Sequence, residues 1–246
     1  MFRQFINFNI LSSKIFERIF SFNKNDKLLI LSLLKDHLKE NFEIADIGGG
    51  KKPTRMMTGI NLPKQIIYDG YDIDLEELEI AREAYNNIYQ LDLNKPQCKN
   101  NKIYDLVICL NTLEHVEDVT TAISNLELMT KKGGKIYVKL PCKYALFTKL
   151  NLIIPNKLKN RIMHKVFPSK KTDGFPAFYD KSTPNEIINI FKNLDLEIES
   201  INLVKWSSYF SFFFPLYIIW RLITLFQNIF IKDYCESFEL IFNKKK

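Results

Sequence analysis

The stretch "EIADIGGGKKP", residues 43–53, joins a short apolar run to three consecutive glycines. Ile44, Ala45 and Ile47 read as a buried strand, and Gly48, Gly49 and Gly50 as the tight turn that ends it. Glycines at a strand end let the backbone come close to a ligand, because no Cβ intervenes. The neighbouring positions decide which ligand. A dinucleotide-type G-x-G-x-x-G beginning at Gly48 needs glycine at 53, where the chain has Pro53. A phosphate-binding loop ending at Gly50-Lys51 needs glycine at 45 and Ser or Thr at 52, positions held by Ala45 and Lys52. The pattern left standing is D-x-G-x-G, Asp46-Ile47-Gly48-Gly49-Gly50.

Outward from that turn, strands and helices alternate. "QIIYDGYDID" (65–74) predicts a second strand, "LEELEIAREAYNN" (75–87) a strongly periodic helix, and "IYQLD" (88–92) a third strand. "KIYDLVICL" (102–110) is nearly all apolar, as a central parallel strand should be. A helix through "DVTTAISNLELMTKK" (118–132) is expected to stop at Gly133-Gly134, before a fifth strand "KIYVKLP" (135–141). Upstream, Asp26 is placed to cap a helix over 27–40, and Ser13 to Phe22 reads as amphipathic with Lys14, Glu17, Arg18 and Ser21 on its polar side. Downstream, Thr183-Pro184-Asn185-Glu186 spells a capping box with proline at the first helical position. The helix "NEIINIFKNL" (185–194) and the strands "LEIESINLV" (196–204) and "SFELIFNKK" (237–245) follow. This order predicts an α/β fold, a doubly wound Rossmann-like sheet of about seven strands, mostly parallel with an antiparallel last strand. The ligand crevice is then expected outside the carboxyl ends of the strands. No internal repeat or Gly/Ser-rich linker marks a second domain, so one domain is expected over 1–246. Within it fall N-terminal helices (1–40), a basic insertion on the acceptor side (141–181) and an apolar helical insertion before the last strand (205–235).

Four motifs at strand ends, in this order between residues 43 and 140, resemble those of class I S-adenosylmethionine-dependent methyltransferases of the ubiquinone-biosynthesis-like type. The resemblance implies S-adenosyl-L-methionine as cofactor, with Gly48, Gly49 and Gly50 against its methionine and ribose portions and Asp46 meeting its ammonium directly or through water. It implies that Asp72, in Gly70-Tyr71-Asp72, takes both ribose hydroxyls, with Asp74 as the alternative. Asp92 would meet the adenine amino group; Leu110 and Asn111, in "YDLVICLNTLEHVED", would lie beside the methionine portion. Against these roles stands a plainer one, since Asp72 or Asp74 is also placed to cap the "LEELEIAR" helix. The chain departs from the family in "KKPTRMMTGINLPK" (51–64), where two prolines and a glycine predict a short or irregular first connecting helix. Lys51 and Lys52 are then placed to face an anionic group.

Methyl transfer to a hydroxyl calls for orientation and a base. Of 3 histidines, His37 reads as structural, His164 sits in a basic run, and His115 lies just past the fourth strand, at the crevice mouth. His115 is the candidate base; packing under the cofactor loop is the competing role. Some quinone-biosynthesis relatives carry E-x-x-E-H, a metal-binding arrangement, but the first position here is Asn111, so no metal is expected. The insertion roofing the acceptor side carries Lys157, Lys159, Arg161, Lys165, Lys170 and Lys171, and ends in "DGFPAFYD" (173–180). Its Tyr179 and Asp180 are acceptor-site candidates. Basic plus aromatic suits a phosphate-bearing lipid or sugar, or nucleic acid, or a solvated helix with its lysines outward. An RNA methyltransferase is disfavoured, because no N-P-P-Y-type tetrapeptide follows the fourth strand and no RNA-binding module is recognisable; a non-catalytic methyltransferase-like binding module is the other alternative. The expected acceptor is therefore a small or lipid-linked molecule, such as an envelope-glycan or lipid precursor.

The net charge of +7 is compatible with any anionic partner. The 4 cysteines are scattered without a C-x-x-C pair, which suits buried thiols in a reducing compartment. "MFRQFINFNILSSKIFERIF" mixes charge with aromatics and predicts no signal peptide. Residues 209–234, "YFSFFFPLYIIWRLITLFQNIFIKDY", are nearly long enough to span a bilayer, but Pro215 breaks the segment and leaves a helix over about 216–232. On it Arg221, Thr224, Asn228 and Lys232 form one polar stripe beside Gln227. The strands on either side should be sheet neighbours, and a single crossing would separate them. The segment therefore predicts peripheral membrane contact through 209–232, with Phe212, Phe213, Phe214 and Trp220 immersed, or else docking on the domain or a homodimer partner. The expected location is cytoplasmic, peripheral at the inner face of a membrane.

Overall fold

The computed structural model describes residues 2–20, 29–37, 41–97, 102–155, 176–207, 209–231 and 234–245. These fall into two compact units, one built from 27–141, 177–202 and 238–246, the other from 1–26, 142–176 and 203–237.

The first unit carries the sheet. Its strands are β1 (Glu43–Ile47), β2 (Ile67–Asp72), β3 (Ile88–Gln90), β4 (Tyr104–Leu110), β5 (Thr130–Pro141), β6 (Leu196–Val204) and β7 (Ser237–Lys244), in the order β3-β2-β1-β4-β5-β7-β6. The first five are parallel neighbours, with Asp46 level with Gly70 on one side and Ile108 on the other. The last strands run antiparallel. Central β4 is apolar because it is covered on both faces: Leu106, Val107, Ile108 and Cys109 are all buried. The chain order reverses between β1 and β4, so the crevice expected in an α/β sheet opens outside their carboxyl ends.

The helices of this unit follow their caps. α2 (Leu29–His37) begins where the buried Glu239 carboxylate accepts the Leu29 amide at 3.0 Å. An acid there satisfies a free donor and complements the helix dipole. The predicted cap, Asp26, lies outside the described residues. Glu239 also takes Tyr137 Oη (3.1 Å), Asn202 Nδ2 (2.9 Å) and Lys139 Nζ (3.3 Å), so one acid ties α2 to β5 and β6. The connecting helix α3 (Thr54–Thr58) is a short turn of 5 residues. α4 (Leu75–Ile80) is shorter than its periodicity predicts: it ends at Ala81, a 3-10 turn covers Arg82–Ala84, and Tyr85 turns inward to stack on Tyr68 at 5.5 Å. Burying an aromatic pair outweighs continuing an exposed helix. α5 (Val119–Leu128) is capped by Asp118 and stops before the glycines, because β5 already begins at Thr130. Gly133 and Gly134 therefore lie within β5 rather than ending a helix. Pairing skips from Tyr104–Thr130 to Leu106–Lys135, and Gly133 takes φ +75° in the bulge. α7 (Pro184–Lys192) has the predicted box: Thr183 Oγ1 accepts the Glu186 amide at 3.3 Å and donates to Glu186 Oε2 at 2.7 Å.

The second unit is helical, with α1 (Phe2–Phe20), α6 (Leu146–Ile153) and α8 (Phe214–Phe230). α1 starts well before the predicted Ser13. Part of its inward face is polar, which hides it from a hydrophobic pattern: Asn9 accepts the Phe214 amide at 2.8 Å, and Ser13 Oγ donates to Ser211 O at 3.4 Å. Between α1 and α8, Glu17 pairs with Arg221 Nε at 2.7 Å and accepts Tyr217 Oη at 2.6 Å. Phe210, Tyr217 and Trp220 are the buried centre of this unit, packed by Phe16, Phe147 and Leu150. Two expectations are corrected here. The polar stripe faces inward at Arg221 and Thr224, and Trp220 is a core residue rather than an immersed anchor. Lys232, His164 and the six basic residues from Lys157 to Lys171 lie outside the described residues.

Candidate functional site

The turn after β1 is built from beneath. Asp46 is fully buried; its Oδ2 accepts the Thr54 amide at 2.7 Å and the Tyr68 hydroxyl, and its Oδ1 accepts Thr54 Oγ1 at 2.8 Å. Burial pushes its carboxyl above the ordinary range, and the Tyr68 and Thr54 donors pull it back. Asp46 therefore points into the protein and pins the start of α3 under the glycines. Above it, Gly48 and Gly50 take φ +72° and +45°, a region that disfavours side chains. A Cβ on Gly48 would stand 2.2 Å from Thr112 Oγ1, which donates to Ile47 O at 3.1 Å and so locks the β4 exit onto the β1 turn. A Cβ on Gly49 would strike the Tyr85 hydroxyl, which donates to Gly50 O at 3.1 Å.

The far side of the turn is acidic. From a Cβ on Gly50, Asp72 Oδ2 and Glu77 Oε2 would each lie 3.2 Å away, so the end of β2 stands close against the turn. Asp72 Oδ1 accepts the Asp74 amide at 3.0 Å. Burial raises its carboxyl, and the neighbouring acids Glu77 and Asp74 raise it further, against the pull of the backbone amides. Asp74 caps α4 by accepting the Glu76 and Glu77 amides at 2.9 and 3.4 Å. Of the two acids, Asp74 is the cap and Asp72 is left at the strand end. Lys51 pairs with Glu77 at 2.8 Å, which gives its ammonium an anion within the chain. Asp92 is held locally, accepting Asn94 N at 3.0 Å and pairing with Lys95 at 3.2 Å.

At the end of β4, Asn111 is exposed with φ +53°, its amide bonded to Lys139 O at 2.8 Å. Leu113–His115 form a 3-10 turn in which His115 is half-buried. The Glu114 carbonyl accepts the amides of Phe178 and Tyr179 at 2.8 and 3.2 Å, which draws the 177–180 segment against the turn. Tyr179 and Lys181 have φ of +54° and +45°, so with Asn111 three non-glycine residues hold strained backbone around one turn. Asp180 accepts the Val119 amide at 3.4 Å. The Glu114 side chain is buried with Oε2 unpartnered, and burial pushes its carboxyl up to about 8. Sequence reasoning missed Glu114, Thr112, Tyr68, Tyr85, Thr54 and Glu77. Only Thr112 and Glu114 stood inside a recognised motif; the tyrosines carried no local signal. Among the described residues no three His, Cys, Asp or Glu side chains converge as a metal set.

A model of the methyltransferase domain matches residues 16–201. The chain belongs to the class I S-adenosylmethionine-dependent methyltransferases. This methyltransferase is 26% identical over 178 residues to the ubiquinone biosynthesis O-methyltransferase of Rickettsia bellii (strain OSU 85-389), covering 70% of this chain and 69% of that protein. The Rickettsia felis protein of the same name is 25% identical over 178 residues, covering 70% and 68%. Among solved structures, the magnesium protoporphyrin IX methyltransferase of Synechocystis PCC 6803 with bound SAH superposes with a TM-score of 0.50 at 16% identity, over 88% of this methyltransferase and 80% of that chain. The [4+2]-cyclase SpnF superposes with a TM-score of 0.52 at 13% identity, over 88% and 80%. At these identities the superpositions show the fold alone.

Proposed function

We propose that this methyltransferase uses S-adenosyl-L-methionine to methylate a hydroxyl on a small or lipid-linked acceptor, a lipid or envelope-glycan precursor. The observation that carries the cofactor part is the close approach of the Asp72 carboxylate to the side-chain-free Gly48–Gly50 turn. Those residues fit the group, since a carboxylate suits paired ribose hydroxyls, and side-chain-free backbone suits close approach. When bound, S-adenosyl-L-methionine supplies a methyl group activated on a sulfonium. Leu110 and Asn111 at the β4 exit would line its methionine portion, and Asp92 its adenine end. Asp46, Thr54, Tyr68 and Tyr85 hold the turn in shape. The curated relatives, named for O-methylation in ubiquinone biosynthesis, support a hydroxyl acceptor. His115 would take the hydroxyl proton; the Glu114 carbonyl next to it holds the Phe178 and Tyr179 amides, and Asp180 accepts the Val119 amide.

Methyl-labelled cofactor, incubated with the purified protein and cell fractions, should leave label in the lipid-extractable or small-molecule fraction. Label confined to RNA would favour the nucleic-acid reading. Turnover that survives His115→Ala, with cofactor affinity intact, would assign that ring to packing.

Asp72→Ala should remove two charge-assisted hydrogen bonds, on the order of 2–4 kcal/mol. That is roughly 30- to 1,000-fold in Kd for S-adenosylhomocysteine, measured by calorimetry. An unchanged Kd would show that the ribose is held elsewhere.

A further inference from the structure

We propose that the outward faces of α1 and α8 form one docking surface for an anionic lipid membrane. α8 buries Tyr217 and Trp220 yet leaves a second apolar face outside. Arg221 and Thr224 are buried, while Ile219, Leu222, Phe226, Ile229 and Phe230 follow one another at helical spacing on the outer face, the last three 64%, 74% and 79% exposed. α1 repeats the arrangement: Asn9 and Ser13 face in, while Phe8, Leu11, Ile15 and Ile19 line its outer face, Phe8 68% and Ile19 69% exposed. The exposed rings of Phe5 and Phe213, 6.4 Å apart, join the two helices at one end. A continuous face of large apolar side chains of this extent marks an interaction site.

Charge selects the occupant. The exposed ionic residues of α1 are Arg3, Lys14 and Arg18, all cations, and α8 exposes none. The one acid on either helix, Glu17, is turned inward to Arg221 and Tyr217. Near the end of α8 a recess lined by Lys205, Asn228, Phe230 and Tyr234 sets an ammonium beside exposed apolar side chains, with Lys205 Nζ bonded to Asn228 Oδ1 at 2.6 Å. The contrast extends over the sequence: the segments of the helical unit carry 15 Lys and Arg against 5 Asp and Glu, those of the sheet unit 20 against 23. A second copy of this surface would bring cation against cation, whereas a leaflet of anionic headgroups over acyl chains meets both features. No helix among the described residues is long and apolar enough to cross a membrane, so the contact lies in the interface plane.

The full-length protein should co-sediment with vesicles of phosphatidylglycerol and phosphatidylcholine, at least about tenfold more strongly than with phosphatidylcholine alone, and 0.5 M salt should weaken it. The triple variant Phe226→Ser, Ile229→Ser, Phe230→Ser should lose sedimentation, and Lys14→Glu with Arg18→Glu should lose roughly tenfold. These side chains are exposed, so an unchanged thermal transition checks the fold of each variant. Wild-type protein that stays in the supernatant, or that binds both vesicle types alike, overturns the proposal. So does a dimer in sedimentation velocity that the triple serine variant dissociates while vesicles are ignored. The wild-type comparison needs no variant and stands or falls apart from cofactor binding.

Discussion

Glu114→Gln is expected to abolish a steep loss of stability with rising pH. The Glu114 carboxyl is buried beneath the β4 exit, close to the Cys109 thiol, and its Oε2 has no partner. Burial raises it from 4.5 to about 8. The folded protein therefore holds this proton through the window in which the unfolded chain has released it. Where the folded state binds more protons, stability falls as pH rises. The contribution is fully present below pH 4.5 and is lost by about pH 8, at a slope near 1.4 kcal/mol per pH unit, on the order of 5 kcal/mol in all. Glutamine keeps the shape and cannot ionise. Urea melts from pH 5 to pH 9 should show wild type and Glu114→Gln diverging as pH rises, with the variant the more stable at the alkaline end. Parallel curves would show that Glu114 reaches solvent or a counter-ion.

Asp46→Ala should destabilise the sheet unit by roughly 3–5 kcal/mol, because it strands three buried donors at once. The Thr54 amide, Thr54 Oγ1 and the Tyr68 hydroxyl all end on that carboxylate. Relief of the penalty for burying the carboxylate works the other way: burial outweighs those donors in setting its pKa, so the loss stays below the sum of three stranded donors. A denaturant midpoint lowered with an unchanged m-value is the signature, and loss of cofactor binding should follow from collapse of the α3 start. A midpoint within 1 kcal/mol of wild type, after conversion, would mean that the donors find water or other partners.

These two effects mark where the sequence was legible and where it was not. The alternation of strands and helices along the chain, the capping box at Thr183 and the glycine turn were readable, because period, cap chemistry and backbone freedom are local. The D-x-G-x-G motif located Asp46 but could not tell which way its carboxylate points. That direction depends on Tyr68 and Thr54, which reach it through the sheet and the next connection. Asp72 and Asp74 were separable only once the Glu76 and Glu77 amides were seen to end on Asp74. Helix α4 was overcalled because its periodicity persists past Ala81, where stacking of Tyr85 on Tyr68 decides the path. α1 and α8 misled in the opposite sense. A hydrophobic stripe normally marks the inner face; here Asn9, Ser13, Arg221 and Thr224 share the buried face with Tyr217 and Trp220, and a second apolar stripe lies outside.

Hydrogen–deuterium exchange with and without S-adenosylhomocysteine tests the central claim most directly. If the cofactor lies outside the carboxyl ends of β1, β2 and β4, ligand should slow exchange in peptides covering 47–53, 70–78 and 109–115, and leave α1 and α8 unchanged. Protection confined to other segments, or none at saturating ligand, would contradict it.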